Sequence, residues 1–320
     1  MSSLTADHLT LGYRRGAAVV HDLVLEVAQG EVVTLVGPNG SGKSTILRTL
    51  ARLMRPQDGA VYLDGRSIHR MSTRRVAQQL AILPQTPSAP EDLTVRDLVV
   101  RGRFARQAWW RASSQGDSAV VDWALDVTGL TAYSGRLLDT LSGGERQRAW
   151  IALALAQEPR ILLLDEPTTF LDISHQLEVM DLLCNLNVER ALTIVMVLHD
   201  LNQAARFSSR LVVLNAGEVY SAGPPDAVLT NTMLREVFQV QGVVERDPHT
   251  QTPVFTPLQS VRNGNGHVNG HAHLDADRSV ARSVVDPQRG DDDASYNDVG
   301  DQELDQAQNQ VDDRARREQD

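Results

Sequence analysis

The chain has 320 residues, 42% apolar and 22% charged, with a formal net charge of -10 at pH 7. A chain of this length can bury roughly 75% of its unfolded surface in a real core, and the acidic balance excludes a nucleic-acid surface built on a general excess of basic residues. Its single cysteine, Cys184, excludes an intrachain disulfide and fits a reducing setting.

The N-terminus, MSSLTADHLTLGY, lacks the basic start and apolar block of a secretory signal. No apolar run approaches the ~18–20 residues of a membrane span, so action at a membrane requires a partner. Leu4–Leu11 and Val24–Val27 alternate apolar and polar residues, as half-buried strands do. Tyr13 follows in the loop GYRRG. It is either an ordinary loop aromatic or, with phosphates held further on, a platform for a purine base.

Val32–Val36 reads as a buried strand that feeds the loop Gly37, Pro38, Asn39, Gly40, Ser41, Gly42, Lys43, Ser44 and Thr45. This is the G-x-x-x-x-G-K-[ST] spacing of a phosphate-binding loop. Its glycines permit the tight path that turns successive N–H groups inward, and the helix beginning near Lys43 adds its positive end. Lys43 is expected to reach the β- and γ-phosphates, and Ser44 to hold a magnesium ion. Lys43 is also the only lysine among 31 basic residues. A compact ammonium has been kept in a chain that otherwise uses arginine, whose planar fork is not equivalent in a tight cradle.

GAVYLDGRSI, Gly59–Ile68, predicts a hairpin turning at Asp64 and Gly65. The strand LAILPQ, Leu80–Gln85, ends on an amide that either terminates a strand or serves a metal or an attacking water. From Thr94 to about Gln157 helical spacing takes over and predicts a helical insert. Within it Trp109 and Trp110 cannot both face one side of a helix. The insert ends in LSGGERQR, where Ser142 and Glu145 form a capping box. Ser142, Gly143 and Gly144 also offer a hydroxyl and N–H groups at a positive helix end, a second anion site.

Ile161–Leu164 is a buried aliphatic strand that delivers Asp165 and Glu166 at its carboxyl end, where ligands bind in open parallel sheets. In phosphoryl transfer one such acid holds magnesium and the other orients or deprotonates water. Asp165 and Glu166 suit those roles in that order. A helix over Ser174–Leu186 carries Cys184, and a second buried strand over Leu192–Asp200 brings His199 to the same end, as a γ-phosphate contact or a core histidine. RLVVLNAGEVYSAG reads as a closing hairpin and Asn231–Val240 as a short helix. Past about Pro257 the composition turns to Asn, Gly, Asp, Gln and Ser. Val261–Asp320 holds 14 acidic and 7 basic residues, an acidic tail too poor in apolar residues to fold by itself. Its His267, His271 and His273 read as solvated, or as a weak metal tract.

Taken in order, the phosphate loop, LPQ, LSGGERQR, LLLDE and LHD resemble the nucleotide-binding subunits of ABC transporters over Leu4–Pro257. The resemblance implies a P-loop NTPase (RecA-like) α/β core with an antiparallel β-subdomain, a helical subdomain insert over about 86–157, and a domain spanning 1–257 before the disordered acidic tail, 258–320. It implies ATP and Mg2+ as cofactors, and a homodimer paired head to tail with each ATP between one phosphate loop and the other subunit's LSGG. It assigns Tyr13 to adenine, Gly37–Thr45 to the phosphates, Ser44, Gln85 and Asp165 to the metal, and Lys43, Gln85, Glu166 and His199 to catalysis. Ser142, Gly143, Gly144 and Glu145 would serve the opposite nucleotide, and Asp172 the dimer contact. The segments LDTLSGGERQRAWIALALAQ and LDEPTTFLDISHQLEVMDLLCNLN look like ATPase subunits of iron-siderophore importers. That implies two FecCD-type permease subunits, a substrate-binding protein reached through them, a peripheral place on the cytoplasmic face of the membrane, and no direct nucleic-acid partner. Haem and cobalamin importers are similar relatives, and a soluble ABC ATPase acting on nucleic acid or ribosomes is the remaining alternative. GRFARQAWWRASSQ in the insert departs from the GRYPHQ-like text of siderophore systems, and the acidic tail is no part of the pattern.

Overall fold

The computed structural model describes residues 2–13, 16–90, 92–106 and 115–261. Trp109, Trp110, the three tail histidines and the acidic tail beyond Val261 lie outside the described residues.

Among the described residues three sheets form the framework. Strands β1 (Ser2–Gly12), β2 (Ala18–Ala28), β4 (Asp58–Leu63) and β5 (Arg66–Ser67) make an antiparallel sheet in the order β2-β1-β4-β5. The β4–β5 turn is the expected one, with Asp64 at φ 49° and Gly65 at φ 74°, the paired positive values that match the twist of a two-residue hairpin. The main sheet has the order β10-β9-β3-β8-β7-β6, built from β3 (Val32–Val36), β6 (Leu80–Leu83), β7 (Ile161–Asp165), β8 (Thr193–Val197), β9 (Arg210–Asn215) and β10 (Glu218–Gly223). All neighbours are parallel except β9 and β10, the closing hairpin.

Both faces of the main sheet are covered, which is why β3, β7 and β8 read as unbroken apolar runs. Val33, Leu35, Leu163, Val195 and Val197 face the antiparallel sheet and α1 (Lys43–Leu50), with Ile46, Leu47 and Leu50 in the same core. Val32, Val36, Leu162, Leu164, Ile194 and Met196 face the other way, onto α5 (Gly143–Ala156) and α6 (Ile173–Arg190). The stretch expected to be helical holds α3 (Val95–Arg101), α4 (Gln115–Val127) and α5, and Thr94 and Ser142 cap α3 and α5 with complete capping boxes. Arg103, 6% exposed, ties α4 to the end of α5 within this insert. It bonds Asp117 (2.9 Å), the Ala156 carbonyl (2.6 Å) and Glu158 (2.8 Å).

Several boundaries differ from the sequence expectation. β8 stops at Val197, so His199 stands on a loop, and Asp200 caps α7 (Leu201–Phe207) by accepting from the N–H groups of Asn202 and Gln203. α6 runs four residues past Leu186, because Asn187 ties its last turn to the carbonyls of Gly30 and Leu192. The last helix of the described residues, Asn231–Phe238, ends two residues early, at Gln239 in a left-handed conformation. A final hairpin, Val240–Arg246 with Pro253–Ser260, was not anticipated. Its second strand passes the expected domain end at Pro257 by three residues. Pro257 is tolerated there because it faces Gly242 where the register shifts, one of the few places a strand accepts proline.

Candidate functional site: a phosphate cradle facing a held carboxylate

Strand β8 separates β3 from β7, and the loops leaving all three open at one end of the parallel sheet. There a cleft of about 440 Å³ is lined by Tyr13, Val19, Asn39, Gly40, Gly42, Lys43, Ser44, Thr45, Glu166 and His199. Gly37, Gly40 and Gly42 have φ of 152°, 81° and 100°. A Cβ at Gly37 would lie 2.2 Å from the Leu214 carbonyl oxygen, and one at Gly42 would lie 2.3 Å from Val20 Cγ2. Only glycine fits both the conformation and the space. Gly42 is the N-cap of α1 and makes no side-chain cap bond, which leaves the first amides of the helix available to an anion. Ser41 Oγ is buried with no hydrogen-bond partner, which suits a phosphate-binding loop.

Lys43 is buried and donates from Nζ to the carbonyls of Gly37 (2.8 Å) and Pro38 (2.9 Å). Burial lowers its ammonium below the ordinary lysine range, while the charges of Glu166 and Asp165 pull it back up. Ser44 Oγ donates to Asp165 Oδ1 at 2.8 Å. Burial pushes the Asp165 carboxyl above the usual range, against the lowering effect of that Ser44 bond, and Glu166 adds to the rise. A half-buried hydroxyl and a buried carboxylate beside a phosphate cradle form an all-oxygen donor pair of the kind magnesium uses together with substrate phosphates. Among the described residues no three or more His, Cys, Asp or Glu side chains gather to hold a metal on their own.

Glu166 takes a left-handed backbone at φ 54°, a conformation costing of order 1–3 kcal/mol away from glycine. Its Oε2 accepts from Gln85 Nε2 at 2.6 Å and Thr169 Oγ1 at 3.1 Å, and its Oε1 lies 2.5 Å from His199 Nε2. Three strand ends therefore converge on one carboxylate. Thr169 was not singled out from the sequence; its position three residues after Glu166, in the turn that reverses the chain, was the available signal. Tyr13 is 55% exposed at the cleft mouth, and its hydroxyl lies 3.2 Å from Thr45 Oγ1.

The family described as "ABC transporter" matches residues 20–169. The iron(3+)-hydroxamate import ATP-binding protein FhuC of Bacillus subtilis is 48% identical over 263 residues, covering 82% of this chain and 97% of its own length. The petrobactin import ATP-binding protein FpuC of Bacillus anthracis is 50% identical over 245 residues, covering 77% and 89%. The chain belongs to the ABC transporter ATP-binding proteins. Among solved structures, a metal-chelate-type ABC transporter in an inward-facing conformation superposes with a TM-score of 0.71 at 28% identity, covering 81% of this chain and 98% of that one.

In this ABC ATPase the remaining expected residues gather elsewhere. Ser142, Gly143, Gly144 and Glu145 are absent from the lining of the phosphate cleft. They sit instead beside Asp172 and His175. A Cβ at Gly144 would lie 2.3 Å from the His175 ring, and one at Gly143 would lie 3.8 Å from Leu171. Asp172 caps α6 by accepting from the His175 amide (2.9 Å) and also meets His175 Nδ1 (2.7 Å). These bonds hold the Asp172 carboxyl below its usual range, and the Ser142 amide does the same for Glu145. One chain thus presents two separate patches, the phosphate cradle with Glu166 and the Ser142 patch with Asp172.

Proposed function

We propose that this chain is the ATP-hydrolysing subunit of an importer for an iron-siderophore complex. It works as a head-to-tail homodimer on the cytoplasmic face of the membrane, beneath two FecCD-type permease subunits fed by a substrate-binding protein. The cargo is inferred from relatives such as FhuC and FpuC, named for hydroxamate and petrobactin import. Among the described residues no helix is long and apolar enough to cross a membrane, so translocation falls to separate subunits.

The observation that carries the chemistry is the placement of Glu166 opposite the cradle. Tyr13 stacks the adenine, the amides of Gly37–Thr45 take the phosphate oxygens, and Lys43 turns from its carbonyls to the β- and γ-phosphates. Ser44, Asp165 and Gln85 hold magnesium, which when bound offsets the charge on the β- and γ-phosphates. Glu166 accepts the proton of the attacking water as its oxygen bonds to the γ-phosphorus and ADP departs. His199 fixes Glu166 and contacts the γ-phosphate. Gln85, whose donor now rests on Glu166, links that carboxylate to the loop following β6. The Ser142–Glu145 patch completes the site of the second copy, with Asp172 at the contact.

The test is uptake into vesicles containing this chain, the permease pair encoded beside it and the cognate binding protein. A ferric siderophore should accumulate only with hydrolysable ATP. Accumulation of haem or cobalamin instead would replace the cargo assignment, and failure to associate with any such permease would refute the role.

A further inference from the structure

The turn between β7 and α6 runs from Glu166 to Asp172 and is held largely by hydrogen bonds. Glu166 and Phe170 both take left-handed backbones, at φ 54° and 66°, a region that residues other than glycine enter at a cost. Phe170, at the tip, is 91% exposed, so packing does not fix it. Such a turn persists only where its surroundings over-determine it. Inside it the Thr169 amide donates to the Glu166 carbonyl and the Leu171 amide to the Thr168 carbonyl, both at 3.3 Å. The Leu171 carbonyl is tied by a side chain: it accepts from Gln176 Nε2, in the first turn of α6, at 2.9 Å.

Gln176 is itself held. Its Oε1 accepts from Gln203 Nε2 at 2.5 Å, a bond from α6 to α7. The order of the two amides is forced, because the group that meets a carbonyl must donate, which leaves the Gln176 oxygen to face Gln203. Gln203 stands in the first turn of α7, where its backbone N–H is one of the two that Asp200 caps. Asn202 fastens the same turn to the final hairpin, donating from Nδ2 to the Phe255 carbonyl (3.1 Å) and accepting from the Phe255 amide (2.7 Å). α7 is thus an anchored post, and His199 stands two residues before its start. By contrast, Gln78, which closes α2 (Thr73–Ala77), donates straight to a backbone carbonyl, that of Ala105, at 3.0 Å.

Together these bonds close a ring. Glu166 leads through its turn to the Leu171 carbonyl, then to Gln176, Gln203 and α7, and back through His199, whose Nε2 lies 2.5 Å from Glu166 Oε1. Gln203 Oε1 is buried with no hydrogen-bond partner among the described residues. An unpaired buried acceptor costs at least as much as one neutral hydrogen bond returns, so stability does not account for this amide. Its N–H group does. We propose that Gln203 and Gln176 are positioning residues for hydrolysis, two amides in series that set the distance between the Asp172 turn and the His199 loop and so hold Glu166 against its histidine. The inference rests on the proposed roles of Glu166 as base and of Asp172 at the contact with the second copy. Displacement of that turn by the second copy then reaches the base through the Leu171 carbonyl.

The test is phosphate release by the full chain at varied ATP, with melting temperature as the control. Gln203→Met keeps the length of the side chain without its donor. It should lower kcat about ten- to a hundredfold, the range that a small misplacement at a reacting centre produces, while KM for ATP and the melting temperature hold. Gln176→Met should do the same, and the double variant should be no slower than the slower single, because either substitution opens the same ring. In a His199→Ala background the ring is already open, so Gln203→Met should change the single-turnover rate by less than about twofold. A merely structural role would instead lower the melting temperature and add its full factor in that background. Either of those results, an unchanged kcat in both single variants, or a rise in KM at constant kcat would overturn the proposal. Glu166→Gln, measured alongside, separates two failures. Normal hydrolysis by it would refute the base role, whereas an inactive Glu166→Gln beside a fully active Gln203→Met would refute the positioning role alone.

Discussion

Replacing Glu166 with glutamine isolates the proposed base with little disturbance to its surroundings. Oε2 of Glu166 now accepts from Gln85 and Thr169, and Oε1 meets His199. An amide oxygen can keep the first two bonds while its NH2 turns to His199, whose ring nitrogen then accepts. The structural cost is at most about one hydrogen bond, roughly 0.5–1.5 kcal/mol. The catalytic cost is larger. A positioned general base contributes about 10²–10⁴-fold, or about 2.7–5.4 kcal/mol of transition-state stabilisation. Phosphate release under single-turnover conditions reads this directly, with nucleotide affinity and melting temperature as controls. The variant should bind ATP, keep its melting temperature, lose hydrolysis by that factor and accumulate as an ATP-bound dimer. A near-normal rate of phosphate release would remove Glu166 from the base role.

Three further outcomes follow from particular contacts. Burial raises the Asp165 carboxyl above its unfolded value near 3.9, so stability is full below that value and is lost as pH rises through the folded one. Asp165→Asn should therefore melt like the parent at acid pH and progressively higher towards neutrality without nucleotide, yet fail to hydrolyse ATP; a difference independent of pH would contradict this. Arg103→Ala removes a nearly buried guanidinium that ties Asp117, the Ala156 carbonyl and Glu158 together and should destabilise the protein to urea by about 3–5 kcal/mol, whereas a loss below about 1 kcal/mol would mean the network is well solvated. Truncation after Val261, whose amide still bonds the Gln239 carbonyl, should leave ATPase activity and melting temperature largely intact; an unfolded product would show that the acidic tail belongs to the fold.

Local chemistry was legible in the sequence where the residues that make a feature are neighbours in the chain. The phosphate loop, the capping box at Ser142 and the Asp64–Gly65 turn need nothing from outside their own segments, and each appears where expected. The buried strands around β3, β7 and β8 were legible because both faces of the sheet are covered. Pairings that depend on the backbone path the fold imposes were not. Thr169 joins Glu166 only because a positive φ turns the carboxylate back over its own loop, and His175 meets Gly144 across 31 positions of sequence. Arg103 looked like one arginine among 30 until the fold set it between α4 and the end of α5. The final hairpin went unread because its second strand carries prolines, at a strand start and at a register shift, and runs across the change of composition near Pro257.

The central claim is that each chain carries two halves of different ATP sites. Lys43→Ala disables the cradle, and Ser142→Arg blocks the second patch at the cost of a helix cap worth about 1 kcal/mol. Each variant alone should be inactive. In a symmetric head-to-tail dimer, mixing them creates one composite site with native Lys43 from one copy and native Ser142 from the other, so an equimolar mixture should recover up to about a quarter of the native phosphate-release rate. A mixture as inactive as its components would contradict the account.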